Sequence, residues 1–292
     1  MWFGLALISA LFSAAAAVSQ KKVLFNIDAV RFSFILSLFN LGLLIPVLLF
    51  HIPQIPEPNI LISVIVKSFL ASAAFLYVMR ALKSFEISSA LPLLALTPGI
   101  VAILSFLLLG DLISLFGVAG IFLMIAGSYV LESSNAGSWM DPLKVLLYGK
   151  NRKYIFLALG IFSFTSVLDR LILWKYKLPP LDFLMIQQFF SVIFFAVFYS
   201  FSRGKTGEEK LSVPVKKYLY FFLFISILTL GYRYFQMEAV KLAPAALVLS
   251  VKRLSILFAI VIGGKLFSEK GLYRKITATL IILAGLFLIQ NF

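Results

Sequence analysis

Residues 79–83 read MRALK and residues 237–241 read MEAVK, so Met, Ala and Lys recur in the same order 158 residues apart. The same shift aligns Asp111 with Glu269. Two unrelated apolar segments would match leucines by chance, but they would not keep a cation and an acid in one register. The register predicts that the chain contains two related halves.

The composition is that of a protein whose surface is covered largely by lipid. Of 292 residues, 62% are apolar and 13% are charged, and the mean hydropathy is +1.04. A soluble domain is about a quarter charged. Apolar runs of about 20 residues can cross the hydrocarbon core as helices. We predict such spans near 2–19, 30–50, 61–82, 87–109, 112–131, 154–174, 182–202, 217–240, 244–266 and 271–290.

Helices are expected rather than a closed barrel, because the apolar runs lack a two-residue alternation. The first half, residues 1–132, then holds five spans, and the second half, residues 154–292, holds five more, with a connecting loop at 133–153. An odd number of spans turns the second half upside down relative to the first. The sequence therefore predicts an all-α membrane protein of ten transmembrane helices in two inverted five-helix repeats, an arrangement found in many secondary transporters.

Several kinds of chemistry are disfavoured by the residue content. The chain has no Cys, which excludes disulfides and thiolate chemistry, and its single His, His51, cannot build a metal site alone. It has no HExxH motif and no Gly-rich phosphate loop, so we expect no enzyme activity, no cofactor and no metal site. The net charge of +14 falls mainly in short loops beside lipid headgroups, so we expect no nucleic-acid partner.

Glycines, prolines and one acid near the end of each half resemble the repeat of EamA-type transporters. The resemblance identifies the chain as a member of the drug/metabolite transporter superfamily. It implies a bundle of ten helices in two inverted repeats around a central cavity that passes small metabolites. The residues that carry it are Tyr77, Met79, Ala81, Ser88, Pro92, Pro98, Gly110-Asp111, Gly120 and Ala126-Gly127, then Met237 through Pro244, Gly264, Phe267, Ser268-Glu269 and Ala284-Gly285.

A shorter stretch on the ninth predicted span, Ser250-Val251-Lys252-Arg253-Leu254, resembles the Lys-Arg pair of the triose-phosphate translocator branch. In that branch the pair coordinates substrate phosphate, so the resemblance implies a substrate-binding role for both cations. It does not assign a sugar phosphate, because some EamA proteins of unknown substrate are similar at this point.

The same two cations and Arg233 form a candidate anion site on physical grounds. A charge deep in the bilayer costs at least about 2.5–3.5 kcal/mol, so it should face a cavity or a partner. Lys252 and Arg253 lie roughly 12–14 Å into their span, and Arg233 reaches a similar depth on the antiparallel eighth span. Further candidate substrate contacts at this level are Gln187, Gln188, Tyr232 and Tyr234, of which at most one tyrosine can share the face of Arg233.

Structural roles for these charges remain alternatives. Arg233 could pair with Glu238, and Asp169 could pair with Arg170 or with Lys252. Neighbouring side chains on a helix point about 100° apart, so Lys252 and its neighbour need not both face substrate.

Asp169 and Arg170 lie close to Trp174 and Lys175, a pattern typical of an anchor at the membrane interface. The first four predicted spans hold no Asp or Glu deep in the membrane. Export of organic cations requires such an embedded carboxylate, so this class of substrate is disfavoured.

Prolines are expected to shape the fourth span. Pro92, Thr97 and Pro98 would form a kink whose exposed backbone carbonyls line the cavity, although a kink that serves only packing fits equally well. Small residues in the fifth and tenth spans, including Gly127 and Gly285, predict close helix contact.

Two arguments about orientation disagree. Most Lys and Arg residues lie in the loops after the odd-numbered spans, and the positive-inside rule then places both termini outside. The family resemblance implies cytoplasmic termini. Either way we expect a multi-pass protein of the cell inner or plasma membrane, surrounded by membrane lipids, that is a monomer or a homodimer.

Three functions follow as hypotheses. The first is a secondary transporter, an exchanger or a facilitator, for a small anionic metabolite. The second is an exporter of neutral or zwitterionic solutes such as amino acids, in which the cations serve structure. The third is a membrane enzyme or lipid-handling protein, which the absence of a catalytic set of residues disfavours.

Overall fold

The computed structural model describes residues 1–84, 94, 96–109, 115–132, 153–203, 215–269 and 271–289. These residues are mostly helical, and they contain no strand. The helices are α1 (Trp2–Leu24), α2 (Ala29–Leu44), α3 (Pro58–Ser84), α4 (Thr97–Leu109), α5 (Leu115–Glu132), α6 (Lys153–Arg170), α7 (Pro180–Arg203), α8 (Leu219–Leu242), α9 (Ala245–Lys252), α10 (Leu254–Leu266) and α11 (Leu272–Ile289).

Each apolar run predicted from the sequence overlaps one of these helices, which confirms the all-α class. Within the described residues, seven helical segments are long and apolar enough to cross a membrane. The predicted connecting loop lies outside the described residues except for Lys153. The seven segments are Trp2–Leu24, Ala29–Leu49, Pro58–Ser84, Tyr154–Lys175, Pro180–Ser202, Lys216–Leu242 and Leu247–Leu266.

Four of the long segments depart from a regular α-helix. The segment that begins at Ala29 ends in a 3-10 turn at Pro46–Leu49, and the segment that begins at Tyr154 ends in a π-helical turn at Leu171–Lys175. The segment that ends at Leu242 begins with a 3-10 turn at Val215–Tyr218. Only Arg253 separates α9 from α10, so the ninth predicted span is interrupted at its Lys-Arg pair. Such local departures often mark functional positions in membrane helices.

Most large contacts between two helices have an equivalent contact between the counterparts of those helices in the other half. The α1–α8 contact corresponds to α3–α6, the α1–α10 contact to α4–α6, and the α2–α8 contact to α3–α7. Two further large contacts, α2–α7 and α5–α11, each join a helix to its own counterpart. A two-fold relation between the halves would produce this pattern.

Gly127 in α5 and Gly285 in α11 are 158 residues apart, and each packs closely against the other's helix. A Cβ added to Gly127 would lie 2.9 Å from the backbone N of Ile282, and one added to Gly285 would lie 2.9 Å from the backbone N of Met124. Ile282 is the counterpart of Met124 in the same register. The predicted packing role of both glycines is confirmed, because neither position has room for a side chain.

Two apolar clusters fill opposite ends of the bundle. We call the end that holds the N-terminus and the loops at 51–57, 176–179 and 243–244 the amino-terminal side. Its buried cluster includes Ala6, Val64 and Phe183. The cluster toward the opposite side is larger and includes Leu24, Leu82 and Ile155. Polar side chains concentrate between the two.

Candidate functional site

A cavity of about 220 Å³ lies between the two halves. Its described walls come from α1, α2 and α3 of the first half and from α6 to α10 of the second. The lining extends to Gln20 and Leu82, close to the ends of α1 and α3 on the opposite side. Its charged residues sit deeper, toward the amino-terminal side: Lys67, Asp169, Arg233, Lys252 and Arg253.

The cavity brings together most of the predicted substrate contacts. Tyr234 is not among its described lining residues; it packs beside Phe235, with ring centroids 5.9 Å apart. Tyr232 faces the cavity instead, as expected if only one of the two tyrosines shares a face with the intervening arginine. The predicted residues that line the cavity are Gln187, Gln188, Tyr232, Arg233, Lys252 and Arg253.

An ion pair that sequence reasoning missed stands at the centre of the site. Lys67 Nζ lies 2.7 Å from Asp169 Oδ1, and the two side chains are only 1% and 6% exposed. The contact is an ion pair without the alignment of a hydrogen bond. The other carboxylate oxygen, Oδ2, lies 3.6 Å from NH1 of Arg233. Asp169 is therefore shared between one cation from each half.

The amide of Gln187 strengthens the link between the same two cations. Its Oε1 accepts hydrogen bonds from Lys67 Nζ at 2.7 Å and from NH2 of Arg233 at 2.9 Å. Gln188 turns to the first half, where its Nε2 donates to the backbone oxygen of Ser37 at 3.4 Å. The neutral hydrogen-bonding groups expected here are thus present, and they join helices from both halves.

Lys252 is held by neutral groups rather than by a carboxylate. Its Nζ donates to Oε1 of Gln236 and lies 4.5 Å from the centroid of the Tyr232 ring. A desolvated ammonium over an aromatic face gains about 2 kcal/mol. Among the described residues Lys252 forms no salt bridge, so these partners orient its positive charge without cancelling it.

Arg253 offers an open hydrogen-bond donor. Its Nε is buried, and within the described part of the chain it has no hydrogen-bond partner. A guanidinium stays charged and presents a planar set of donors that matches carboxylate or phosphate oxygens. Arg253 stands between the C-terminal end of α9 and the N-terminal end of α10.

The charge of the cavity is strongly unbalanced. Its described lining contains four cations and a single carboxylate, that of Asp169. Buried charges in a membrane protein need a partner or a solvated cavity. This arrangement can attract a small anion and hold it by charge-assisted hydrogen bonds.

Arg170 and Asp169, adjacent in sequence, have different surroundings. NH1 of Arg170 donates to the backbone oxygens of Val240 at 2.9 Å and Ala243 at 3.1 Å, and so caps the end of α8. Its guanidinium also lies 4.7 Å from the Trp174 ring. Asp169 is buried in the cavity instead of lying at the interface, because the π-helical turn extends the segment beyond it.

One signal in the sequence could have revealed the central pair. Lys67 lies six residues inside the predicted span 61–82, where an unpaired ammonium would be costly. The cost demands a partner but does not identify it, because Asp169 is distant in sequence.

The predicted proline kink lies only partly within the described residues. Pro92 is outside them. Pro98 is the second residue of α4, and Leu94, four residues before it, is also helical. Thr97 is fully buried, and its hydroxyl donates to the backbone oxygen of Leu94 at 2.6 Å. Leu94 lines the cavity, whereas Thr97 is not among the described lining residues.

A second polar contact between the halves lies near the amino-terminal surface. His51 Nε2 contacts Oδ1 of Asp182, which is only 1% exposed, and the backbone N of Gln54 donates to its Oδ2 at 3.3 Å. His51 therefore has a specific partner rather than solvent alone. Asp182 stands in the first turn of α7, so the pair ties the proline-rich loop 51–57 to that helix.

Comparison with known proteins identifies the family. The EamA-like transporter family matches residues 1–133 and 153–290. A solved structure titled "Crystal structure of protein" has the same fold, with a TM-score of 0.68 and 14% identity over 99% of this chain and 96% of that one. No curated protein matches the chain. With matches over both halves, this multi-pass integral membrane protein belongs to the EamA-like transporter family, within the drug/metabolite transporter superfamily.

Proposed function

We propose that this protein is a secondary transporter, an exchanger or a facilitator, that carries a small anionic metabolite through the central cavity. The observation that carries the proposal is the excess of positive charge on the cavity walls, where four cations face one carboxylate. A buried excess of this kind is stabilised when an anion binds, and it repels a cation.

The architecture behind the proposal is ten transmembrane helices in two inverted repeats, residues 1–132 and 154–292. Two observations support it. The helix contacts interchange between the halves, and Gly127 and Gly285 make reciprocal contacts. Inverted repeats place the substrate between two bodies that can rock against each other and open the cavity to either side in turn.

Within this cavity Arg253 and Lys252 are the main residues that bind the anion. The Nε of Arg253 has no hydrogen-bond partner among the described residues, and the planar guanidinium can donate to two oxygens of a carboxylate or phosphate. Lys252 adds a point charge whose position is fixed by Gln236 and Tyr232. Arg233 completes the group, although it also faces Asp169.

Transport in proteoliposomes tests the proposal. Vesicles containing purified protein are loaded with inorganic phosphate, a phosphorylated three-carbon acid, a dicarboxylate or an amino acid, and uptake of the same labelled compound is measured. We expect uptake of at least one anion class above that of empty vesicles, stimulated by the anion inside. Uptake of amino acids with no response to any anion would contradict the proposal.

One observation favours a second candidate, the transport of zwitterionic solutes. The carboxylate of Asp169 lines the same cavity as the cations, so a zwitterion could place its ammonium near Asp169 and its carboxylate near Arg253. The amino acid arm of the uptake assay distinguishes the two candidates.

A further inference from the structure

The two halves are joined on the amino-terminal side of the cavity by an ion pair and by a contact between a histidine and a carboxylate. Lys67 of the first half pairs with Asp169 of the second, and His51 of the first pairs with Asp182 of the second. Opening this side requires the halves to separate there, and separation would break both contacts.

The cavity lining shows which side is closed. Toward the opposite side it reaches Gln20 and Leu82, within one or two helical turns of the ends of α1 and α3. On the amino-terminal side of the ion pair, Ala6, Val64 and Phe183 are buried with none of their surface exposed. The structure is therefore sealed beyond Lys67 and Asp169.

Asp169 is held less firmly than a buried carboxylate could be. Its Oδ1 contact with Lys67 is short but not aligned as a hydrogen bond, and its Oδ2 is 3.6 Å from Arg233. A bound carboxylate or phosphate, free of the constraints of a side chain, could align its oxygens with both cations. Charge-assisted hydrogen bonds in good geometry are the stronger ones.

We propose that Asp169 is a tethered competitor of the transported anion and, through Lys67, the contact that keeps the amino-terminal side closed. The Asp169 carboxylate and an anionic group of the substrate bind alternately to Lys67 and Arg233. This inference rests on the proposed function, and it adds two residues to the site together with a mechanism that links binding to opening.

The link follows from which half each group belongs to. While Lys67 is paired with Asp169, the first half is tied to the second. A substrate anion that takes Lys67 from Asp169 releases this tie, and its binding energy then favours the state in which the amino-terminal side is open. A neutral solute has no charge with which to compete for Lys67, so it leaves the side closed.

Accessibility of an introduced cysteine measures the opening. The natural chain has no Cys, so a single cysteine is the only thiol. Val64→Cys places it one helical turn from Lys67 in the sealed apolar cluster, where a membrane-impermeant thiol reagent should react slowly. Ser13→Cys, on the cavity wall, controls for the intrinsic rate of reaction within the cavity.

We expect Asp169→Asn to speed labelling of Val64→Cys by about tenfold, which corresponds to about 1.4 kcal/mol, and to leave labelling of Ser13→Cys unchanged. In the background of Asp169→Glu, which keeps the charge, Val64→Cys should be labelled slowly. Because Asp169→Asn leaves Lys67 unpaired and could impair folding, the neutral double variant Lys67→Gln/Asp169→Asn is measured beside it and should also label fast. The reversed pair Lys67→Asp/Asp169→Lys should restore slow labelling. Parental labelling rates in Asp169→Asn and the neutral double variant would overturn the closing role.

Phosphate binding tests the competition separately. Inorganic phosphate, followed by its effect on thermal unfolding of the purified protein, should bind about tenfold more tightly to Asp169→Asn than to the parent. Equal affinities would overturn the competitor role. If no variant responds to phosphate or takes up an anion while Asp169→Asn still labels fast, the proposed function and the competition both fail, and only the closing contact stands.

Discussion

Lys67 of the first half and Asp169 of the second form a buried ion pair with a nitrogen–oxygen distance of 2.7 Å. Both residues line the cavity, and their contact also joins the two halves. Its energetics follow from burial: removal of one partner leaves a charge in a poorly solvated place, whereas removal of both does not.

Stability of the single and double neutral variants should show this non-additivity. We expect Lys67→Met and Asp169→Asn each to lower the melting temperature of the purified protein in detergent. The melting temperature of the double variant Lys67→Met/Asp169→Asn should fall by less than the sum of the decreases in the two single variants, because no unpaired charge remains. A double variant whose loss equals that sum would show that the two side chains do not interact energetically.

The α5–α11 contact makes a second prediction about stability. Gly285→Ala places a Cβ 2.6 Å from the backbone oxygen of Gly120 and 2.9 Å from the backbone N of Met124, so the helices must shift apart. Thermal unfolding should show a melting temperature lower by several degrees. Gly160→Ala is the matched control in another helix, because its Cβ meets nothing within 4 Å.

At Gly160 alanine should be neutral or slightly stabilising, since it favours the helix by about 1 kcal/mol over glycine. Equal destabilisation by both substitutions would contradict the close contact at Gly285.

Much of this fold could be predicted from the sequence because the bilayer constrains it. Lipid requires long apolar helices, so the apolar run at 2–19 is enough to predict α1, and the small residues at Gly127 and Gly285 predict the close helix contact that the structure shows. Lys252 and Arg233 lie at similar depths from their helix ends, and both line one cavity.

What could not be predicted depends on rotation and on distant partners. Depth along a helix does not say which way a side chain faces, so Tyr234 was placed with the substrate contacts although it packs beside Phe235. Asp169 was assigned to the interface because Trp174 and Lys175 follow it. Its partner Lys67 is brought near only by packing of α3 on α6.

The geometry of Arg253 makes a prediction about charge-conserving substitution. Arg253→Lys keeps the charge but loses the fork that grips two oxygens at once, so anion uptake should fall by about tenfold, the loss expected for 1.4 kcal/mol of binding. Arg274→Lys is the matched control, since Arg274 is exposed near the start of α11, and it should transport at the parental rate. Parental uptake by Arg253→Lys would mean that the fork does not hold the substrate.

Orientation in the membrane is decided by a reporter fused after Phe292. The loop charges predict that the C-terminus is extracytoplasmic, because Lys and Arg accumulate on the loops of the opposite side. A fused phosphatase should therefore be active, and a fused fluorescent protein that folds only in the cytoplasm should be dark. The reverse result would show that the family precedent outweighs the charge distribution.

Counterflow in proteoliposomes with Lys252→Gln and Arg253→Gln tests whether an anion crosses through the cationic cavity. For the anion that the parent exchanges best, we expect each variant to lose at least about nine-tenths of the uptake, since each cation then contributes about 1.4 kcal/mol or more to anion binding. Both variants should retain the parental yield of folded protein. Parental uptake by both folded variants would show that these two cations do not bind the transported anion.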